Sequence, residues 1–199
     1  MTIEILAAVE GDADEAVAVR LIEHVGAVPG PIHGKRGKAH LRQKRNGYNH
    51  AAHRGPWLLL VDLDRNAGCA PQLRAAWLPR PAPLMCFRIA VRAVEAWLLA
   101  DAEAVADFLG VARTKVPRNP EALSDPKAVL VDLARRSRCG AIREDMARAH
   151  GGGWTVGRAY TSRVRELVER HWRPAVAAKH ADSLARAIRC LKTLVERVA

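Results

Sequence analysis

The chain has 199 residues, 49% of them hydrophobic, and 32 Lys and Arg against 21 Asp and Glu give it a formal net charge of +11. That apolar fraction excludes an intrinsically disordered chain and suits one α/β domain with an appendage. Cys69, Cys86, Cys139 and Cys190 are widely spaced without a C-x-x-C pair, and no apolar stretch approaches the roughly 20 residues that span a bilayer, so zinc, disulfide-framework and membrane classes are set aside and a soluble cytoplasmic protein is expected.

The predicted elements alternate in chain order. A buried strand covers 2–9, and an amphipathic helix covers 13–25 with Ala16, Val17, Leu21, Ile22 and Val25 as apolar positions. A short strand near 27–33 contains Pro29-Gly30-Pro31. A helix follows through 38–53, then an apolar strand over 57–62 and a short helix over 71–78. A strand over 83–90 and a helix over 91–100 complete four strands with intervening helices, the pattern of right-handed crossovers and a largely parallel sheet covered on both faces.

Beyond residue 100 only helices are expected. Asp101 caps one that ends at Gly110, Ser124-Asp125-Pro126 opens another through Arg136, and further helices fit 141–149, 160–171 and 183–198, with Gly151-Gly152-Gly153 as a flexible break. The expected organisation is an α/β core over 1–100 and a helical C-terminal region over 101–199 packed on it.

Two acidic clusters carry the chemistry. Glu10-Gly11-Asp12-Ala13-Asp14 follows the first strand and Asp62-Leu63-Asp64 follows the third. Groups just beyond the carboxyl ends of parallel strands converge on one crevice, so carboxylates about fifty residues apart can share a site. In so basic a protein they suit a hard divalent cation such as Mg²⁺, which takes oxygen ligands. Helix capping is the competing role for Asp12, with Glu15 completing a capping box, and Asp14 is open to either role.

Charge distribution points to a polyanion. No acid occurs between Glu23 and Asp62, whereas Lys35, Arg36, Lys38, Arg42, Lys44, Arg45 and Arg54 fall within that block. Such a block can neutralise phosphates and release their counterions, although a solvated basic face is the plainer alternative.

An acid followed by Gly after the first strand, with Asp-x-Asp after the third, resembles the Toprim domain of topoisomerases, primases and OLD-family nucleases. The stretch from Arg88 through Glu95-Ala96-Trp97-Leu98-Leu99 to Asp101 further resembles small bacterial Toprim-like proteins, some associated with phage defence. The resemblance covers about residues 1–100. It implies a Toprim-like α/β fold with a four-stranded, largely parallel sheet, and a nuclease cleaving DNA or RNA phosphodiesters with Mg²⁺ or Mn²⁺. It implies that Glu10, Asp62 and Asp64 hold the metal, with Glu95 and Asp14 supporting it or a second ion. Lys35, Arg36, Lys38, Arg42, Lys44, Arg45, Arg88 and Arg92 are the phosphate-binding candidates. A non-catalytic nucleic-acid-binding subunit working with an ATPase is the alternative, and self-association is left open.

Plainer roles exist for several of these residues. Glu95 could lie on the polar side of its helix, Arg88 could be tied to a carboxylate, and Tyr48 and Trp57 could be core residues rather than base-stacking ones. Gly30-Pro31-Ile32-His33-Gly34-Lys35 only faintly matches a phosphate loop, since it lacks Ser or Thr after Lys.

Overall fold

The computed structural model of the protein describes residues 2–64 and 68–199. The α/β class is as expected: β1 (Glu4–Val9), α1 (Asp12–His24), β2 (Val28–Gly34), α2 (Lys38–Ala51), β3 (Trp57–Asp62), α3 (Ala70–Trp77) and β4 (Met85–Ala90) alternate. The four strands form an all-parallel sheet in the order β2-β1-β3-β4, flanked by helices. β1 and β3 are the central pair. In β3 every residue from Trp57 to Val61 is buried, as a strand covered on both faces requires. β2 lies at the edge, where Pro29 and Pro31 cost no interior ladder bond, and its pairing with β1 shifts register between Ile5 and Ala7. Because residues 28–34 are strand, the faint phosphate-loop match is discarded.

Chain order reverses between β1 and β3. The chain leaves β1 toward β2 on one side and returns to β3 on the other, which makes the carboxyl ends of these strands a topological switch point, where open α/β sheets place their ligands.

The chain divides into two compact units, Met1–Val91 with Ser183–Ala199, and Arg92–Asp182. The grouping differs from a division at residue 100 in two places. Residues 92–100 go with the second unit. The final helix, Asp182–Val198, lies almost wholly in the first.

After β4 the chain forms α4 (Val94–Leu99), α5 (Ala102–Leu109), α6 (Pro126–Arg135) and α7 (Gly140–Met146). The hairpin β5 (Ala147–His150) and β6 (Gly153–Val156) follows, then α8 (Tyr160–Arg170), α9 (Pro174–Ala177) and α10 (Asp182–Val198). The hairpin corrects the all-helical expectation: Gly151 and Gly152 both have positive φ, +56° and +77°, and turn the chain between two antiparallel strands instead of forming a loose break. The helix expected over 141–149 accordingly ends at Met146. In α10, Leu184, Ala187, Ile188, Leu191 and Leu194 recur at helical spacing and are buried. Arg197 donates from Nη1 to the Pro83 carbonyl at 2.9 Å, and the Val91 N–H donates to Ser183 Oγ at 3.3 Å, tying both ends of the helix to the sheet unit. No helix among the described residues is long and apolar enough to cross a membrane.

Asp101 and Asp125 cap α5 and α6 as expected, accepting from Ala104 N at 3.3 Å and Ala128 N at 3.0 Å. Asp101 does more than cap. Its fully buried carboxylate also takes the Arg173 N–H and both Nε and Nη2 of Arg173, at 3.1, 2.9 and 2.6 Å. Burial pushes this carboxyl up, but the hydrogen bonds from the Arg173 guanidinium, Ala104 N and Arg173 N, with the guanidinium charge, outweigh it and hold it below the ordinary Asp value. A lowered folded-state pKa gives stability that is present above the unfolded pKa and lost as pH falls through the folded one. The melting-temperature gap between wild type and Asp101→Asn is therefore expected to be constant above about pH 5 and to shrink below about pH 4. A gap independent of pH down to about 2 would contradict the ion pair.

Candidate functional site

The site begins with the end of β1. Val9 is the last strand residue, and Glu10 follows at the switch point. Its Oε1 accepts the backbone N–H of Asp62, the last residue of β3, at 2.8 Å. One carboxylate thus bridges the carboxyl ends of the two central strands. Asp64 follows two residues later, its side chain 56% exposed.

Gly11, extended at φ −154°, is the N-cap of α1 and makes no side-chain cap bond, so Asp12 lies in the first turn and is not the cap. The expected capping box is absent for that reason. Asp14, also in the first turn, is buried, and its Oδ2 folds back over Gly11, where a Cβ would lie 3.4 Å away. The partial positive charge of the helix N-terminus favours acids in this turn.

The basic block is brought to these acids by backbone bonds. Lys35 N donates to the Val9 carbonyl and Gly37 N to the Glu10 carbonyl, each at 2.9 Å, so the β2–α2 loop runs along the end of β1. Gly34 makes this close approach possible: at φ +88° it faces the Val9 carbonyl oxygen, and any side chain would collide with that atom. Lys38, opening α2, then brings its ammonium to the second acidic segment. Its Nζ donates to the Asp62 carbonyl oxygen and to Asp64 Oδ2, the latter at 2.6 Å. Lys35 Nζ pairs with Glu15 at 3.1 Å.

Lys35 and Asp64 are the non-glycine residues with positive φ among the described residues, at +59° and +62°. Such conformations cost of order 1–3 kcal/mol each and persist where surrounding structure enforces them. Both lie at this one crevice.

The remaining candidates divide clearly. Arg36, Arg42 and Lys44 are exposed on the loop and α2. Arg45 is turned inward, its Nε donating to the Trp77 carbonyl at 2.6 Å and Nη1 to the Arg42 carbonyl, a packing role. Tyr48 and Trp57 form an aromatic cluster with His33, centroids 5.3 to 6.2 Å apart, and Trp57 is buried in the sheet core, so these rings pack against each other. Arg88 lies on β4 beside Cys86 and Cys190.

Glu95 and Arg92 belong to the second unit. Glu95 is 1% exposed, its Oε1 accepting from Tyr160 OH at 3.1 Å and pairing with Lys127 Nζ at 3.3 Å. Its Oε2 is buried with no hydrogen-bond partner among the described residues. The solvated helix face considered for Glu95 is excluded by this burial.

Glu10, Asp14, Asp62 and Asp64 offer oxygen donors only, the chemistry a hard divalent cation needs. Of these residues, Asp62 through its backbone carbonyl and Asp64 through its carboxylate hold the Lys38 ammonium. Among the described residues no group of three or more His, Cys, Asp and Glu side chains converges as a ready-made metal site. The donors fit such an ion in kind, and for Asp64 to join them its pair with Lys38 would have to open.

Sequence reasoning missed the ion pair of Lys38 with Asp64 and the docking role of Gly34. Gly34-Lys35 at the end of a strand was the available signal for the second; nothing in the sequence signals the first. A scan against protein-family models and searches of curated proteins and solved structures find no match to this chain.

Proposed function

We propose that this chain is a Toprim-like, divalent-cation-dependent nuclease acting on DNA or RNA phosphodiesters, in keeping with the bacterial-defence proteins its sequence resembles. The observation that carries the reading is the bond from the Asp62 N–H to the Glu10 carboxylate, which places acids from both central strands at the switch point beneath a basic loop. Glu10, Asp62 and Asp64, with Asp14 from the first turn of α1, are the residues that would hold the ion. A cation bound there would polarise a phosphoryl oxygen and lower the pKa of a bound water.

The chain's own part is positioning and charge. Exposed Arg36, Arg42 and Lys44, on the β2–α2 loop and α2, are available to backbone phosphates. Lys38 reaches the acids from the same helix, so a phosphate arriving at the crevice would compete with Asp64 for its ammonium. Exchange of that partner would free Asp64 and hold the phosphate beside it.

The pairing of Lys38 with Asp64 also favours a second reading, a nucleic-acid-binding subunit without catalysis, because it already neutralises the Asp64 charge. A cleavage screen of single- and double-stranded DNA and RNA with Mg²⁺ or Mn²⁺ separates the two. Cleavage that chelator abolishes supports the nuclease. Binding without cleavage under every metal selects the subunit, and neither binding nor cleavage overturns both.

Nucleic-acid binding has its own signature. Replacing Arg36, Arg42 and Lys44 by Gln is expected to reduce the slope of log affinity against log salt by about 0.9 for each duplex phosphate the protein no longer neutralises, without changing the melting temperature. An unchanged slope would make these side chains a solvated face.

A further inference from the structure

Outside the carboxylate crevice, the sheet unit contains a cavity of about 250 Å³ where α10 packs near β4, lined by Cys86, Arg88, Arg189, Cys190 and Arg197 among others. Cys86, on β4, is fully buried, whereas Cys190, on α10, is partly exposed. Both thiols and the Arg88 side chain line this one cavity, which brings the three groups together across β4 and α10. Arg88 Nε is itself buried without a hydrogen-bond partner among the described residues, so this guanidinium retains a donor inside the cluster. Cys69 and Cys139, by contrast, are exposed.

We propose that Cys190 is a peroxide-reactive thiol and Cys86 its resolving partner, the pair closing reversibly into a disulfide between α10 and β4. The chemistry starts from an uneven pair. The hydrogen bond from Cys86 lowers the Cys190 pKa, burial opposes, and the charges of Arg88 and Arg74 with the Arg88 hydrogen bond bring the value to about 6. Burial and the bond to Cys190 push the Cys86 thiol well up despite Arg88. Cys190 is therefore the thiolate and Cys86 the proton-bearing thiol.

The Cys190 thiolate attacks one oxygen of a hydroperoxide. The O–O bond breaks, the sulfur loses two electrons to the peroxide, and the departing oxygen takes a proton to leave as water or an alcohol. The Cys86 sulfur then attacks the sulfenic sulfur, the S–S bond forms, and the displaced hydroxide leaves as water with the Cys86 proton. The sum is two thiols and one peroxide giving one disulfide and two waters, or one water and an alcohol. Arg88, Arg189 and Arg197 supply the positive lining that favours the thiolate and the departing oxyanion. Residues 92–182, the whole second unit, lie in the loop that the bond would close.

The test uses the reduced full chain with equimolar hydrogen peroxide at pH 7, followed by peptide mapping. The expected product is a Cys86–Cys190 cross-linked peptide that dithiothreitol reverses, with Cys69 and Cys139 still reduced. The oxidised chain should melt about 10 °C higher, as closing a loop of this length implies. In Cys86→Ser the reaction should stop at Cys190 sulfenic acid, trapped by dimedone, and Cys190→Ser should give neither product. Should Cys86→Ser fail to fold, the wild-type peptide map decides alone. Oxidation of Cys69 or Cys139 ahead of Cys190, or oxidation of Cys190 without a bond to Cys86, would overturn the proposal.

Discussion

Asp62→Ala and Glu10→Gln are each expected to lower Mg²⁺-dependent cleavage by at least about a hundredfold while leaving nucleic-acid affinity nearly unchanged, because ligand loss removes charge stabilisation worth several kcal/mol. The two act differently in the fold. Glu10→Gln keeps an oxygen able to accept the Asp62 N–H, so the bridge between β1 and β3 survives and only the charge is lost. Asp62→Ala keeps the backbone donor and carbonyl and removes one carboxylate. Both variants should melt near wild type without metal, and wild type alone should gain stability in millimolar Mg²⁺, as ligand linkage requires. Asp64→Asn supplies the contrast, since it weakens the pair with Lys38 as well as any ion site. Isothermal titration with Mg²⁺ and a cleavage assay decide the matter: normal metal binding and normal cleavage by Asp62→Ala and Glu10→Gln would end the catalytic reading.

Trp97→Ala is expected to be strongly destabilising, at about 3–5 kcal/mol, with or without metal. Trp97 is fully buried in α4, and its carbonyl accepts the indole N–H of Trp172, itself fully buried, at 3.1 Å. Truncation leaves a cavity inside the second unit. At roughly 2–4 °C per kcal/mol for a chain of this size, melting should fall by about 6–20 °C. Glu95→Gln, two residues earlier, separates chemistry from packing. Its amide oxygen can still accept from Tyr160 OH, and what it loses is the charge facing Lys127. A ligand role for Glu95 predicts weaker Mg²⁺ binding and much slower cleavage with little thermal shift. Full metal-dependent activity in Glu95→Gln would leave Glu95 as a buried partner of Tyr160 and Lys127. A Trp97→Ala protein melting within about 2 °C of wild type would contradict the packing account.

Local pattern alone determined the class of this protein. Apolar runs bounded by acids or prolines give β1, β3 and β4 because a strand buried on both faces needs continuous hydrophobic sequence, and the helices between them follow from apolar residues at helical spacing. The rule that groups beyond the strand ends converge placed Glu10 and Asp62 together from sequence, since both directly follow or end apolar strands. Asp101 and Asp125 were legible as caps because a cap joins residues only three apart.

Tertiary structure decided what depends on distant partners. Asp12 and Glu15 satisfy the letter of a capping box, yet the backbone enters α1 at Gly11, one residue earlier, and the box does not form. Gly151-Gly152-Gly153 reads as a flexible break, and only the pairing of Ala147–His150 with Gly153–Val156 makes it a hairpin. Lys38 counted as one more charge in a basic block until the β2–α2 loop, held on Val9 and Glu10 by backbone bonds, carried its ammonium to Asp64, 26 residues on. Cys86 and Cys190 are 104 positions apart and line one cavity because the apolar stripe of α10 is buried in the sheet unit. No spacing rule reaches that far: such meetings are set by which faces the whole core buries, and a sequence window holds only one side of them.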